Sequence, residues 1–521
     1  MKKRIEYNIH GKKISREYTY VPFRYIFAAL VTLLEILAII GIVVALCYYV
    51  PYFYLAAFCT QVMCIISIVA SDDNPDYKVP WLLIVMLLPI AGFMLYFLFY
   101  SRTLNKKYVR RLDEIKNRPY TQGAEFVFES LKAENIEAGN QAEMLCKIGD
   151  THVYNEGEIT YYPSGEELFS AMLEDINKAE KFIFMEYFII EQGKFWDPIL
   201  EVLKDKAAKG VDVRVVYDDI GCMFTLPGNY FKSLQKMGIK ATPFSRLKGA
   251  ADGEFNNRSH RKITVVDGRI GYTGGVNIAD EYINEIVRFG HWKDVGMRLT
   301  GDAVRELTRL FLIDYGVNVK KDEPWQEDFF PKAEVQAGEG YVIPFGDGPK
   351  PLYARRVGKS VICNLIAGAK RYAYITTPYL ILDDEMCQTL ETAALRGVSV
   401  RLILPHIPDK KLVFEASKSF YKRLIEAGVE IYEYEPGFIH AKTYLIDGEY
   451  AMVGTINLDH RSLVHHFENG VWMYRCRCIA DVERDFCETL TKCIAVDKAA
   501  LRTNIFKRAL RSVIRIFATM L

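Results

Sequence analysis

Two stretches decide the fold: "SHRKITVVDG" at 259–268 and "IHAKTYLIDG" at 439–448. In each, Lys follows His by two residues and Asp–Gly closes the run, giving His260, Lys262 and Asp267 in one and His440, Lys442 and Asp447 in the other. Seven residues beyond each Asp stands a Gly (Gly274, Gly454), and three beyond that an Asn (Asn277, Asn457). Residues two apart on a strand share a face. The pattern therefore predicts two strands that each present His and Lys together and then run into a core. One copy alone is an ordinary surface strand; two copies with matched downstream Gly and Asn call for a duplication.

The flanking sequence repeats too. "KFIFMEYFII" (181–190) is β-rich, "WDPILEVLKDKAAKG" (196–210) has helical spacing with a Gly stop, and "VDVRVVYDD" (211–219) is β-rich again. The order returns in "YAYITTPYLI" (372–381) and "EMCQTLETAALRGVSVRLILP" (385–405), and "FKSLQKMGIKATPF" (231–244) aligns with "YKRLIEAGVEIYEY" (421–434). This predicts an α/β fold of two duplicated domains, with parallel βαβ units in mixed central sheets, flanking helices, and equivalent loops face to face. The domains are placed at 141–317 and 341–500, with linkers at 101–140 and 318–340.

A chain of 521 residues has the length for more than one core. Net charge is +1, so no basic footprint points to nucleic acid. The 11 cysteines form no zinc-like spacing and read as free thiols. The apolar residues concentrate in 25–49, 53–70 and 80–100, each close to the length of a membrane crossing. Basic residues flank this region on both sides, in 1–24 and 102–118, and both flanks favour the cytoplasm. An even number of crossings is then expected, with 53–70, which holds Thr60 and Gln61, as the re-entrant or interfacial segment and N-terminal transmembrane helices at the other two. The C-terminal segment 501–521 reads as a basic amphipathic helix, with Phe506, Leu510, Val513, Ile514, Phe517 and Leu521 on one face and Arg508, Arg511 and Arg515 away from it. Such a helix suits an anionic bilayer.

The chemistry follows from the residue types. His serves as nucleophile or general acid/base near neutral pH, Lys as a point charge for a phosphate oxygen, and Asn amides with nearby backbone N–H groups as an anion cradle. Two copies facing each other surround one tetrahedral anion. One His attacks phosphorus and the other protonates the departing alkoxide, with no metal and no other cofactor required. Asp294 in "HWKDVGM" and Glu468 in "HFENGVW" stand at equivalent places, and each is expected to orient an imidazole. Asp267 and Asp447 complete the motifs, either within the catalytic set or as ties for the strand end. His291, His460, His465 and His466 lie nearby, but no spacing demands them.

The doubled "HRKITVVDG…GGVN" and "HAKTYLIDG…GTIN" resemble the HKD motifs of the phospholipase D superfamily. "NPDYKVPWLLIVMLLPIAGFMLYFLF" (74–99), "GGVNIADEY" and "GTINLDHRSLVHHFE" resemble bacterial cardiolipin synthases in particular. The resemblance implies a multi-pass protein of the bacterial plasma membrane with its catalytic domains on the cytoplasmic side. It implies a phosphatidyltransferase acting on phosphatidylglycerol through a phosphohistidine. The nucleophile role carries over to His260 and the acid/base role to His440, the sequence leaving the reverse open; Lys262, Lys442, Asn277, Asn457 and Thr455 would bind phosphate. Water as acceptor, a related head-group transferase, a membrane-bound nuclease and a non-catalytic scaffold are the competing readings.

Overall fold

The computed structural model describes residues 2–9, 12–19, 23–49, 52–100, 106–120, 125–246, 256–319, 323–332, 337–353, 355–497 and 504–520. Its body is built on two mixed sheets. In the first, strands Phe182–Tyr187, Asp212–Asp218 and Lys240–Phe244 run parallel, and the motif strand Lys262–Val266 pairs antiparallel to Phe182–Tyr187. In the second, Tyr372–Thr376, Ser399–Pro405 and Glu430–Tyr434 repeat the parallel set, with Thr443–Ile446 antiparallel to Tyr372–Thr376. The duplication read from the sequence is thus a duplication of sheet topology. Gly210 and Gly397, which end the equivalent helices, both sit at positive φ (90° and 91°), a conformation that Gly adopts without a Cβ penalty.

The sheets share a core. Phe184, Val265, Met297 and Leu299 of the first join Leu445, Val453, Val471 and Met473 of the second in one buried cluster. Helix Val304–Asn318 contributes Leu307 and Phe311 to that cluster and is buried from Val304 to Val317. A core continuous across both halves fixes their relative placement and hence the geometry of anything between them.

The expected boundary at 141 falls inside a helix. Ile136–Gly149 packs Ala138, Ala142 and Leu145 into the core of the second half, and strand Tyr154–Glu156 pairs with Ala337–Asp347 of the second sheet. Sequence order assigned these residues to the first domain; their apolar faces are buried by the second. The described residues of the expected 101–140 linker include helices Lys106–Lys116 and Glu125–Glu134.

The N-terminal region departs from expectation in a useful way. Strands Lys2–Ile9 and Lys12–Thr19 pair antiparallel with Lys2 opposite Thr19. Helices follow at Phe23–Tyr49 and Phe53–Ala70, and the second is largely exposed. Residues 80–100 do not make one span. Helix Pro75–Leu87 stops at Leu88, and Pro89–Leu95 turns back along it. Pro89 has no N–H to continue the first helix, and Gly92 lets the arms close, since a Cβ there would lie 2.4 Å from the Ile84 carbonyl oxygen. Tyr77 meets Tyr100 and Trp81 meets Tyr96 across the arms. Residues 75–100 therefore form a helical hairpin, and 53–70 is the described helix long and apolar enough to cross a bilayer.

The C-terminal helix Ile505–Phe517 docks on helix Lys411–Glu426 through Arg511 Nε to Glu415 (2.7 Å) and Arg515 over the Phe420 ring. Ile514, expected on the outward apolar face, instead packs against the body with Val413 and Ala416. Phe506, Leu510 and Val513 stay exposed, so the outward stripe is apolar and part of the basic face is used for docking.

Candidate active site

The two motif strands end at one cavity of about 360 Å³ lined by His260 and His440 together. The halves exchange backbone bonds there. His260 N donates to Phe467 O (2.8 Å) and Phe467 N to Arg258 O (2.9 Å), while His440 N donates to Lys293 O (2.7 Å). Strand His291–Lys293 pairs in parallel with Gly437–Ile439. Arg261 ties the first motif down further: its guanidinium reaches Asp314 Oδ2 (2.7 Å) and the Glu468 carbonyl (3.1 Å).

The carboxylate partners are crossed. His260 Nδ1 lies 2.9 Å from Glu468 Oε2, and His440 Nδ1 lies 2.6 Å from Asp294 Oδ2. Each imidazole is oriented by the other half, so neither half alone holds a complete His–carboxylate pair. The carboxylate fixes the Nδ1–H tautomer and leaves Nε2 with a lone pair. Burial pushes His260 down to about 3, against the pull of Glu468. Burial and then the Lys442 charge push His440 down to about 4, against Asp294. Burial thus favours neutral rings, and the two contacts are hydrogen bonds of imidazole N–H to carboxylate. Burial works against ionisation of Asp294 and Glu468, but their His partners hold both below the usual carboxylate range.

The lysines sit behind the rings. Lys262 Nζ donates to the His260 carbonyl (2.5 Å), and Lys442 Nζ donates to the His440 carbonyl. Burial depresses Lys262 to about 7 and Lys442 to about 8, each opposed by the site carboxylates. Desolvated ammonium groups are poised to gain from an incoming anion. Asn277 and Asn457 line the same cavity. Asn277 is held by Ile189 N (3.0 Å) and by its own bond to Tyr282 OH (2.8 Å), whereas Asn457 Oδ1 has no hydrogen-bond partner among the described residues.

Three sequence candidates do something else. Asp267 accepts from Glu180, Lys181 and Phe182 N–H groups, each at 2.8 Å. Asp447 accepts from Lys370, Arg371 and Tyr372 N–H groups at 2.7–2.8 Å. Both cap the start of the neighbouring strand at the end of the motif away from His, the geometry of a structural tie. Thr455 is fully buried and donates to Glu468 Oε2, with Ser462 Oγ on Oε1 (2.5 Å). It supports the carboxylate and is not among the residues that line the cavity. Its counterpart, Gly275, leaves room for the shorter Asp294: a Cβ there would lie 2.0 Å from Asp294 Oδ1.

Several cavity residues escaped sequence reasoning. Phe188 lies edge-on to His260 (5.2 Å between centroids), and Tyr282 and Trp292 flank His440 at 5.4 and 5.6 Å. His460, Arg461 and His466 also line the cavity; "GGVNIADEY" and "LDHRSLVHH" were visible, but nothing in their spacing gave them a direction. His291 instead meets Tyr434 OH (3.0 Å). His260, His466 and Glu468 bring ligand atoms within 4.8 Å of one another, a spacing a metal ion could use. Glu468 is already engaged by His260, Thr455 and Ser462, which disfavours that use.

A family model described as cardiolipin synthase, phospholipase D-like domain, matches residues 172–286 and 362–490, and one described as phospholipase D-nuclease N-terminal matches 61–99. An uncharacterized protein of Streptococcus mutans is 41% identical over 88% of this chain and 99% of its own length. The cardiolipin synthase of Geobacillus kaustophilus is 33% identical over 89% of this chain and 92% of its own, and that of Staphylococcus aureus 30% identical over 88% and 93%. Among solved structures, a phosphatidylserine synthase of Haemophilus influenzae superposes with TM-score 0.56 at 15% identity, covering 73% of this chain and 97% of that one. That last likeness concerns the fold.

Proposed function

The chain belongs to the cardiolipin synthase family of phospholipase D-like proteins, and we propose that its cavity transfers a phosphatidyl group from one phosphatidylglycerol to the terminal hydroxyl of another, giving cardiolipin and glycerol. The observation that carries this reading is the crossed pair, two imidazoles in one cavity held by opposite carboxylates, with two buried lysines behind them. His260 Nε2 attacks phosphorus, the bond to the glycerol oxygen breaks, and His440 gives that oxygen a proton. The second phosphatidylglycerol then loses its hydroxyl proton to His440, its oxygen attacks phosphorus, and the bond to His260 breaks. An anionic phosphodiester in the cavity raises the His440 pKa, which prepares the proton for the first step. Lys262, Lys442, Asn277 and Asn457 hold the phosphoryl oxygens, and the charge comes from the lysines without a metal.

Membrane association is supported by the N-terminal family match and by helix Phe53–Ala70. We further propose a multi-pass arrangement in which Phe23–Tyr49 and Phe53–Ala70 are the two crossings. At 1.5 Å per residue they extend for about 40 and about 27 Å, and two crossings keep both basic flanks on the cytoplasmic side. The folded 75–100 hairpin and the outward apolar stripe of the C-terminal helix then lie at the anionic surface beside the cavity. Phosphatidylglycerol vesicles with the full-length protein and a chelator test the function. Cardiolipin with equimolar glycerol supports it; phosphatidic acid alone means that water is the acceptor and refutes transfer.

A further inference from the structure

The proposed reaction brings a second anion into the cavity. The acceptor phosphatidylglycerol attacks through its terminal hydroxyl, and its own phosphodiester, three carbons away, stays intact and charged throughout. Lys262 and Lys442 are committed to the reacting phosphate, so the acceptor's phosphate needs another cation.

Four Lys or Arg side chains line the cavity. Arg258 is buried and spent on Asp218 (3.0 Å) and on the Ser245 and Phe244 carbonyls. Arg288 pairs with Glu281 at 2.9 Å. Lys410 is exposed and sits over the Tyr379 ring, 5.7 Å from its centroid. Arg461 differs from all three. It is half-buried, it faces the cavity, and its guanidinium makes no hydrogen bond, ion pair or ring contact with any described residue. A partly desolvated guanidinium without a counter-charge is costly in the empty protein and rewarded by an anion. Its planar fork suits two oxygens of a phosphodiester.

Position favours the acceptor over the donor. Arg461 lies outside both His–Lys motifs, on the short helix His460–Val464. His460 on that helix stacks on Tyr77 of the membrane-side hairpin (5.4 Å, 12° between planes). Asn74 and Asp76 of the same hairpin bond to Asp383 and to the N–H of Asp384. Through that stacking the helix carrying Arg461 sits against the element from which a second lipid would approach.

We propose that Arg461 binds the intact phosphodiester of the acceptor lipid and makes the cavity selective for an anionic acceptor. This rests on the transfer reading above. The test uses full-length protein in phosphatidylglycerol vesicles with isotopically labelled glycerol in the water. Label entering phosphatidylglycerol reports capture of the phosphatidyl-enzyme by a neutral acceptor; cardiolipin reports capture by an anionic one. In R461Q the ratio of cardiolipin to labelled phosphatidylglycerol should fall about 10- to 100-fold, the range expected for a lost charge-assisted bond, with R461K intermediate. An unchanged ratio in R461Q, with its melting temperature matching wild type, overturns the proposal. So does an equal loss of both products, which would place Arg461 on the donor phosphate or in the fold. A wild type that yields neither product defeats the transfer reading itself, and is told apart from failure of the Arg461 assignment because the parent is silent.

Discussion

Replacing Glu468 by Gln isolates what the crossed carboxylate contributes. The substitution keeps shape and removes charge. Oε2 receives His260 Nδ1 and Thr455 Oγ1, and Oε1 receives Ser462 Oγ. A carboxamide can keep its oxygen toward His260 and turn its NH₂ toward Ser462, whose hydroxyl rotates to accept. The His260 tautomer then survives and only the charge is lost. As His260 attacks, positive charge grows on its ring. A carboxylate charge about 4 Å from the ring centre, at an effective dielectric of about 20, stabilises that by about 4 kcal/mol. That corresponds to about a 10³-fold slower formation of the phosphatidyl-enzyme. Rapid-quench measurement of the first glycerol released per active site reads this step directly. E468Q should retain its fold and lose about three orders of magnitude in the burst. A loss under about tenfold in a folded variant would refute the charge stabilisation given to Glu468.

Three further outcomes follow from the same geometry. Because Lys262 and Lys442 are depressed to about 7 and about 8, kcat/KM should fall as pH rises through that window, with no acid limb near 6.5 since His260 is already neutral. Stability should move the other way there, because above about 7 the unfolded chain, with Lys at 10.5, binds more protons than the native one; a pH–rate profile and urea melts at matched pH check both. G275A pushes a Cβ against Asp294 and should cost about 1–3 kcal/mol of stability and most of the activity, whereas T455S keeps the hydroxyl on Glu468 and should cost less than about tenfold in kcat. D447A strips an acceptor from three backbone N–H groups and should lower unfolding free energy by about 2–4 kcal/mol, with kcat per folded molecule within about threefold of wild type; an equal loss of kcat and kcat/KM in fully folded D447A would return Asp447 to the chemistry.

The sequence showed local periodicity and its repetition well. Strands Asp212–Asp218 and Ser399–Pro405 and the Gly210 and Gly397 helix ends were legible because a period of two, a helical spacing and a positive φ are imposed by a few neighbouring residues. The pairing of Asp294 with His440 rather than His260 was not, because it is set by the shared core between the halves, across 146 residues of chain. The role of Thr455 turned on which way one side chain points at a strand end. The membrane region failed differently: counting apolar residues made 80–100 a span, although Pro89 and Gly92 marked the reversal. Position 141 falls inside helix Ile136–Gly149, because a chain segment can be first in sequence and still bury its apolar face in the second half.

The central claim is that one imidazole carries the phosphatidyl group while the other handles the proton. Protein mixed with radiolabelled phosphatidylglycerol, quenched in alkali during turnover and digested, gives the position of the labelled phosphorus by peptide mass spectrometry. The account predicts an acid-labile, alkali-stable label on the peptide holding His260, present in wild type and absent from H260A. Label on the His440 peptide, or steady cardiolipin synthesis by H260A with no labelled histidine, would contradict it.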